Sequence, residues 1–245
     1  MYVHHGNQIL ASGGTDKEIK LWNLSNYKCT HTLLGHNSRI KSLAVYDKDD
    51  KTILFGGSLD QTIKLWSLDS YTIITTFFGH RDDICALSVY KHAGKAYLAS
   101  GTFGSTNDNI KIWDLDNHTL VRSLNTDGGY ISSLVVVNLG GKQILASGDG
   151  NGRIQLWSMG NYEIMETINA HSDYLYALDV LECNGRVCLA SGSVDRTIKV
   201  WDLESKSEIA TINNDSTIYA ITVFMNGDRA CVASSHEYSV ILWME

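Results

Sequence analysis

The chain has 245 residues, of which 44% are hydrophobic and 19% charged, a composition typical of a globular protein with a large core. Its 27 acidic and 20 basic residues give a net charge of −7, which disfavours a nucleic acid as partner. No apolar run reaches the ~18 residues of a membrane-spanning helix, and the N-terminus has no charged start followed by an apolar stretch. We therefore expect no contact with a membrane and no secretory signal.

The chain consists of six similar units, each ending in one of its six tryptophans. These are Trp22, Trp66, Trp113, Trp157, Trp201 and Trp243. The intervals between them are 44, 47, 44, 44 and 42 residues. In four units the sequence Leu-Ala-Ser-Gly precedes the tryptophan, as at residues 10–13 and 189–192. A repeat of nearly constant length indicates one supersecondary unit used several times.

Each unit predicts four short strands and no helix. In chain order these are an apolar run such as residues 40–45, the Leu-Ala-Ser-Gly segment, the run that ends in tryptophan, and a final β-rich run. Pairs such as Gly140-Gly141 predict tight hairpins between the first two strands. Short strands at regular spacing are typical of a sandwich, a barrel or a propeller. The 44-residue period favours a propeller, because it is the length of one four-stranded blade.

The units resemble WD repeats over the whole chain. Trp-Asp ends two of them, at positions 113–114 and 201–202, and Gly-His opens two, at positions 35–36 and 79–80. The resemblance implies an all-β propeller of about six four-stranded antiparallel blades, with residues 1–245 as a single domain. It also implies a non-catalytic scaffold or adaptor, which binds other proteins or peptides through the loops on one face around a central channel.

Polar residues recur at fixed places in the units: a histidine before the first strand, a serine in the second, an aspartate six residues before the tryptophan, and the tryptophan itself. The resemblance implies that these side chains form a structural hydrogen-bonded network. The candidate members are His36, Asp60, Trp66, His80, Ser100, Trp113, His171, Ser191, Asp195 and Trp201.

Serine, histidine and aspartate are also the parts of a hydrolase triad. Here the set recurs in several units, and in some of them one or two of its members are replaced. Gly56 stands at one serine position, and the unit ending at Trp157 has Asp127 for the histidine and Asn151 for the aspartate. A polar set that recurs but is incomplete in some units is typical of a stability element. We therefore assign no catalytic residue.

The residues around each first strand are candidates for partner contact. We predict a contact surface made of Arg39, Lys41, Phe103, Tyr130, Tyr174, Tyr176 and Tyr219. Tyrosine is enriched in binding hot spots because it offers a large rigid area and a hydroxyl. Phe103 belongs to an insertion at residues 102–107, which lengthens one interval to 47 residues. The two basic residues would form a charged sector beside the aromatic ones.

Two alternatives to a scaffold remain open. One is a propeller-type glycoside hydrolase of the sialidase kind, since residues 58–62 and 193–197 resemble Asp-box turns. Such enzymes need an arginine cluster and a tyrosine nucleophile, whereas the seven arginines here are scattered about one to a unit. The other is a fragment or an engineered repeat without a partner of its own, which would show no polar asymmetry between its two faces.

The two ends of the chain predict incomplete blades. The first unit is too short for a first strand and the last too short for a fourth, so we expect three-stranded sheets at both ends. Unpaired sheet edges attract further strands. A fragment of a longer chain, an imperfectly closed ring and self-association through the terminal edges are all consistent with this.

The five cysteines indicate a reducing compartment. Their number is odd, and no two have Cys-x-x-Cys spacing. We therefore expect no disulfide framework, no metal site and no other cofactor, and a location in the cytoplasm or the nucleus.

Overall fold

The structure is a computed structural model that describes residues 2–4, 6–48, 51–104, 108–126, 129–183, 186–227, 229–236 and 239–244. Regular secondary structure in this part of the chain consists of 23 β-strands in six antiparallel sheets. No helix long and apolar enough to cross a membrane occurs among these residues. The chain has two compact units, residues 1–128 and residues 129–245, with three sheets in each.

The first unit contains sheets 1 to 3. Sheet 1 is formed by β1 (Tyr2–His4), β2 (Asn7–Gly13), β3 (Ile19–Asn23) and β4 (Lys28–Leu33). Sheet 2 is formed by β5 (Ile40–Lys48), β6 (Lys51–Ser58), β7 (Ile63–Ser67) and β8 (Thr72–Phe77). Sheet 3 is formed by β9 (Asp83–His92), β10 (Lys95–Phe103), β11 (Ile110–Asp114) and β12 (Thr119–Leu124).

The second unit contains sheets 4 to 6. Sheet 4 is formed by β13 (Ile131–Leu139), β14 (Lys142–Asp149), β15 (Arg153–Ser158) and β16 (Ile164–Asn169). Sheet 5 is formed by β17 (Leu175–Cys183), β18 (Arg186–Ser193), β19 (Thr197–Asp202) and β20 (Ser207–Asn213). Sheet 6 is formed by β21 (Ala220–Asn226), β22 (Arg229–Ser235) and β23 (Val240–Met244).

The prediction of an all-β fold with six propeller blades is confirmed. Sheet 6 has three strands, as expected. Sheet 1 has three strands of ordinary length, and the three-residue β1 pairs with the edge of β2. Gly6, with a φ of 77°, makes the tight turn that pairs Tyr2 with Ile9 and His4 with Asn7.

Hydrophobic clusters between neighbouring sheets form the core of each unit. In the first unit, Ile9 and Leu21 of sheet 1 share a cluster with Leu54 and Trp66 of sheet 2. In the second unit, Ile154 of sheet 4 shares a cluster with buried residues of sheet 5. The second strand of sheet 2 lies between two such clusters, with Leu54 in one and Phe55 in the other, so this strand is apolar on both faces.

The glycine that ends the Leu-Ala-Ser-Gly segment, or stands at the equivalent place in sheet 2, makes room for the next sheet. A Cβ atom added to Gly57 would lie 2.7 Å from the Cγ2 atom of Ile84, and one added to Gly192 would lie 2.6 Å from Cγ2 of Ile218. Real Cβ atoms do not approach neighbouring atoms so closely. The glycine in the repeat is therefore required by packing between neighbouring sheets.

The residue after each of the first five tryptophans caps the turn between the third and fourth strands. The Oδ1 atom of Asp114 accepts hydrogen bonds from the backbone N–H groups of Asp116 at 2.8 Å and Asn117 at 2.9 Å. Asn23 binds the N–H of Ser25 in the same way. Because aspartate, asparagine and serine can all accept such bonds, the Trp-Asp dipeptide tolerates variation at its second position.

Candidate functional site

The polar side chains of sheet 5 form one connected network. The imidazole of His171 lies between the Asp195 carboxylate, 2.9 Å from Nδ1, and the Ser191 hydroxyl, 2.7 Å from Nε2. The indole N–H of Trp201 donates to the same Ser191 Oγ at 3.0 Å. Thr197 donates to the other oxygen of Asp195, at 2.7 Å from its hydroxyl.

Burial and hydrogen bonding set the charges in this network. Burial lowers the pKa of His171 by more than the nearby Asp195 raises it, so the ring is neutral. A neutral ring donates from Nδ1 to the carboxylate and accepts from the Ser191 hydroxyl at Nε2. Burial by itself raises the pKa of Asp195, but hydrogen bonds from Thr197 and Ser172 and the neighbouring His171 outweigh it and hold this pKa below its usual value.

The order aspartate, histidine, serine is that of a hydrolase triad, but the serine is inaccessible. Ser191 has no exposed surface, and its oxygen already accepts the indole N–H of Trp201. A nucleophile must reach the carbonyl or the anomeric carbon of a substrate. These contacts therefore link strands β18 and β19 to the loop before β17, and the buried Ser191 offers no site of attack.

The networks of sheets 2 and 3 contain parts of the same arrangement. In sheet 3, His80 Nε2 lies 2.6 Å from Ser100 Oγ, which also accepts the indole N–H of Trp113 at 2.8 Å. Burial, with a smaller contribution from Lys111, lowers the pKa of His80 to about 3.

In sheet 2 the serine is absent. The Nε2 atom of His36 faces the carbonyl of Gly56 at 3.1 Å, and its Nδ1 lies 2.8 Å from Asp60. Burial acts to raise the pKa of Asp60, yet hydrogen bonds from Thr62, Asn37 and His36 leave it lowered. Trp66 packs beside the ring of His36, with a centroid distance of 5.4 Å.

Sheet 4 uses an aspartate that the repeat pattern did not single out. Asp149, only 1% exposed, accepts bonds from the backbone N–H groups of Asn151 at 2.9 Å and Arg153 at 3.0 Å, and from Arg153 Nε at 2.8 Å. Asn151 thus does not take over the role of the missing aspartate. Asp127, assigned to the histidine position, lies outside the described residues. The buried Asp149 precedes Asn151 by two residues. It therefore does not stand at the repeat position, six residues before the tryptophan, where an aspartate was expected.

Sheet 6 uses a histidine from a different loop. His236, 8% exposed, follows β22 rather than preceding β21. Its Nε2 atom lies 2.9 Å from Ser234 Oγ and 3.1 Å from Asn214 Nδ2, and its Nδ1 lies 3.2 Å from Ser216 Oγ. His236 is the single histidine between Trp201 and Trp243, and this was the signal that could have identified it.

The four predicted tyrosines of the second unit lie in one continuous row. Tyr130 stacks on Tyr174, with ring centroids 6.1 Å apart and planes 11° apart. Tyr174 stacks on Tyr176 at 6.5 Å, and Tyr176 meets Tyr219 at 5.6 Å. Tyr219 is 48% exposed and the other three rings are half-buried. We call these four residues the tyrosine row.

The backbone holds the tyrosine row at equivalent places in successive sheets. The carbonyl of Tyr130 accepts the N–H of Gly150 at 2.9 Å, and that of Tyr174 accepts the N–H of Val194 at 2.9 Å. Both bonds join the start of a first strand to the loop after the second. A Cβ atom on Gly150 would lie 2.9 Å from both rings, so only glycine leaves room for this stacking.

The remaining predicted contact residues belong to the first unit. Arg39 and Lys41 are exposed at the start of β5, and Lys41 acts electrostatically on Asp83 and Cys85 of β9. Burial, the largest effect, raises the pKa of the Cys85 thiol to about 11. Phe103 is 40% exposed at the end of β10, opposite Asp83. Residues 105–107 of the insertion lie outside the described residues.

Charge is divided unequally between the units. Residues 1–128 contain 13 acidic and 13 basic residues, whereas residues 129–245 contain 14 acidic and 7 basic ones. The whole net charge of −7 therefore belongs to the second unit, which carries the tyrosine row. Within the described part of the chain, no group of three or more His, Cys, Asp or Glu side chains is placed to hold a metal ion.

The family is decided by matches to the model for "WD domain, G-beta repeat". They cover residues 1–23, 27–67, 71–114 and 162–202, more than half of the chain. The chain belongs to the WD-repeat family. The matches leave out residues 115–161, yet this segment contributes three of the four strands of sheet 4, with the Trp157 indole donating to Ser147 at 2.8 Å.

One curated relative shares a single repeat with this WD-repeat chain. Cell division control protein 4 of Saccharomyces cerevisiae is 39% identical over 46 residues, which are 19% of this chain and 6% of the yeast protein. The chain thus matches only a small part of that protein's length.

Proposed function

We propose that this WD-repeat protein is a non-catalytic scaffold or adaptor of the cytoplasm or nucleus that binds other proteins or peptides. The tyrosine row carries the proposal. Four aromatic side chains from sheets 4 to 6 lie side by side and keep part of their surface in contact with solvent. WD-repeat proteins in general serve as protein-interaction scaffolds, which supports the same conclusion.

The chemistry of the row suits a binding surface. A tyrosine covers a large area while losing the freedom of only two side-chain torsions, and its hydroxyl adds a polar contact. Stacking of each ring on the next organises them before a partner arrives, which lowers the entropic cost of binding. Arg39, Lys41 and Phe103 of the first unit remain proposed contact residues.

The hydrolase alternative receives no support from Arg153 and Arg186 of the second unit. Arg153 is engaged with the buried Asp149 of its own sheet, and Arg186 lies near Asp202 in sheet 5. A sialidase-type site would need arginines that converge on a substrate carboxylate. These two instead meet carboxylates of the protein itself.

Affinity capture from a cell lysate tests the proposal. We expect Tyr176→Ala to reduce the recovery of specific partners several-fold, because a central ring of an interface contributes about 1–2 kcal/mol or more. Tyr27→Ala is the matched control, since Tyr27 is 82% exposed and belongs to the first unit. Equal recovery with wild-type protein and Tyr176→Ala would overturn the assignment of the row.

The same samples report on self-association. Among the described residues no strand pairs with the outer edge of β23, and such an edge can accept a strand from another chain. Size-exclusion chromatography with light scattering shows whether the mass exceeds that of one chain. A mass of one chain at all concentrations would remove this mode of association.

A further inference from the structure

We infer that the tyrosine row binds a basic segment of a partner protein, with arginine or lysine side chains against the phenol rings and beside Asp173. The inference rests on the proposed function, and it names the class of partner for the same surface.

Charge complementarity is the first argument. The second unit has an excess of seven acidic residues, and four of its seven basic residues already face carboxylates in ion pairs. These four are Arg153, Arg186, Lys199 and Lys206. The surface of this unit therefore has carboxylates to offer to a cationic partner, and a field of this sign attracts and orients one.

The carboxylates near the row are the second argument. Asp173 is exposed, immediately precedes Tyr174 and accepts its backbone N–H at 2.7 Å. Asp215 is exposed in the loop that leads to Tyr219. Burial first, then Tyr219, Tyr174 and Asp173, raise the pKa of Tyr176, so its phenol stays neutral. Neutral rings with a carboxylate beside them suit a guanidinium or ammonium group, which binds the electron-rich ring face.

The contrast with the first unit is the third argument. The carbonyl of Arg39 accepts the N–H of Leu59 at 2.9 Å, just as the carbonyl of Tyr174 accepts that of Val194. At the equivalent place, then, sheet 2 presents a cation where sheets 4 and 5 present an aromatic ring. A basic segment is repelled by Arg39 and accepted by the rings of Tyr130 and Tyr174, which favours the tyrosine row over sheet 2 as its binding place.

Binding of synthetic peptides to the full chain tests the inference. The probes are an arginine–glycine repeat peptide, the same peptide with citrulline in place of arginine, and a glutamate–glycine peptide. Citrulline keeps the shape of arginine without its charge. We expect the arginine peptide to bind at least about fivefold more tightly than the citrulline peptide, and the glutamate peptide not to bind.

Variants locate the binding on the row. We expect Tyr176→Ala and Tyr219→Ala each to weaken the arginine peptide about threefold or more, and Tyr176→Phe to restore most of the affinity because its ring remains. Asp173→Asn should weaken it at low salt and have little effect at about 1 M salt, where charges are screened within ~3 Å. Glu204→Gln is the matched control: it removes one exposed carboxylate of the same unit, in the turn after β19.

The outcomes separate this inference from the proposed function. Equal affinity for the arginine and citrulline peptides, or equal loss with Asp173→Asn and Glu204→Gln, would overturn the basic-segment inference alone. Capture that depends on Tyr176 but persists at high salt would also overturn the basic-segment inference. It would leave the scaffold function in place. Loss of the Tyr176 dependence in lysate capture would instead overturn the proposed function of the row.

Discussion

At the scale of single residues, a serine in the second strand of four sheets binds the tryptophan of the same sheet. Ser12, Ser100, Ser147 and Ser191 each accept the indole N–H of the tryptophan in their own sheet, at 2.8 to 3.0 Å. A buried indole N–H without a partner is costly, because water cannot replace the lost bond. The hydroxyl thus explains why serine recurs in a strand that otherwise consists of apolar and small residues.

Removal of this hydroxyl should destabilise the protein. We expect Ser191→Ala to lower the free energy of unfolding by about 2–3 kcal/mol, because both the Trp201 indole and the His171 Nε2 lose their partner. Ser207→Ala, on an exposed strand of the same sheet, is the control and should change it by less than about 0.5 kcal/mol. Urea unfolding measures both, and equal effects would contradict the role assigned to Ser191.

At the scale of elements, the close approach of neighbouring sheets requires a glycine near the end of the second strand. Gly148 and Gly192 end equivalent strands in the second unit, and a Cβ atom on either would meet a side chain of the next sheet at 2.3 Å and 2.6 Å respectively. A well-packed interior cannot absorb such an overlap without moving the sheets apart. The glycine therefore couples each blade to its neighbour.

An added methyl group tests this coupling. We expect Gly192→Ala to lower the free energy of unfolding by about 1–3 kcal/mol through overpacking against Ile218, and Ile218→Ala in the same chain to recover part of it. Gly160→Ala, whose Cβ would meet only Ser158 Oγ at 3.8 Å, should be nearly neutral. Thermal unfolding compares the three variants. An additive double mutant would show that the two residues are not coupled.

At the scale of the whole molecule, buried titratable groups make the fold sensitive to acid. His80 and His171 both have lowered pKa values because burial disfavours their charged form. Their unfolded forms bind a proton near pH 6.5, so the stability they contribute is complete above that pH and is lost as the pH falls towards the folded pKa. Asp60 and Asp195 have lowered pKa values too, and their contribution is lost below about pH 4.

His80 allows a quantitative test of acid sensitivity. Since its pKa falls from 6.5 to about 3, we expect its contribution to cost about 2–3 kcal/mol of stability between pH 6.5 and 4.5. His80→Gln keeps a side-chain amide near Ser100 but cannot titrate, so its stability should vary less over this range. Chemical unfolding at several pH values measures the slope. An unchanged slope in His80→Gln would show that other groups determine it.

The sequence alone determined the class and much of the local chemistry. Six tryptophans in register, four runs per unit and glycine or Asx turns are local patterns, and they predicted six propeller blades before any contact was known. The strand β1 was not predicted, because its three residues are too few to show a pattern. The histidine, serine and aspartate positions were also predicted from recurrence, whereas Asp149 and His236 were missed because they stand outside the repeating register.

Only the tertiary structure decided which candidates lie together. Tyr130 and Tyr174 are separated by 44 positions, and whether their rings meet depends on the packing of two sheets and on the space left by Gly150. Close packing between sheets also explains the glycine of Leu-Ala-Ser-Gly. The sequence showed that this glycine recurs but not why it is needed. Strand order follows from short-range patterns, but a surface formed by several blades depends on contacts between side chains that are distant along the chain.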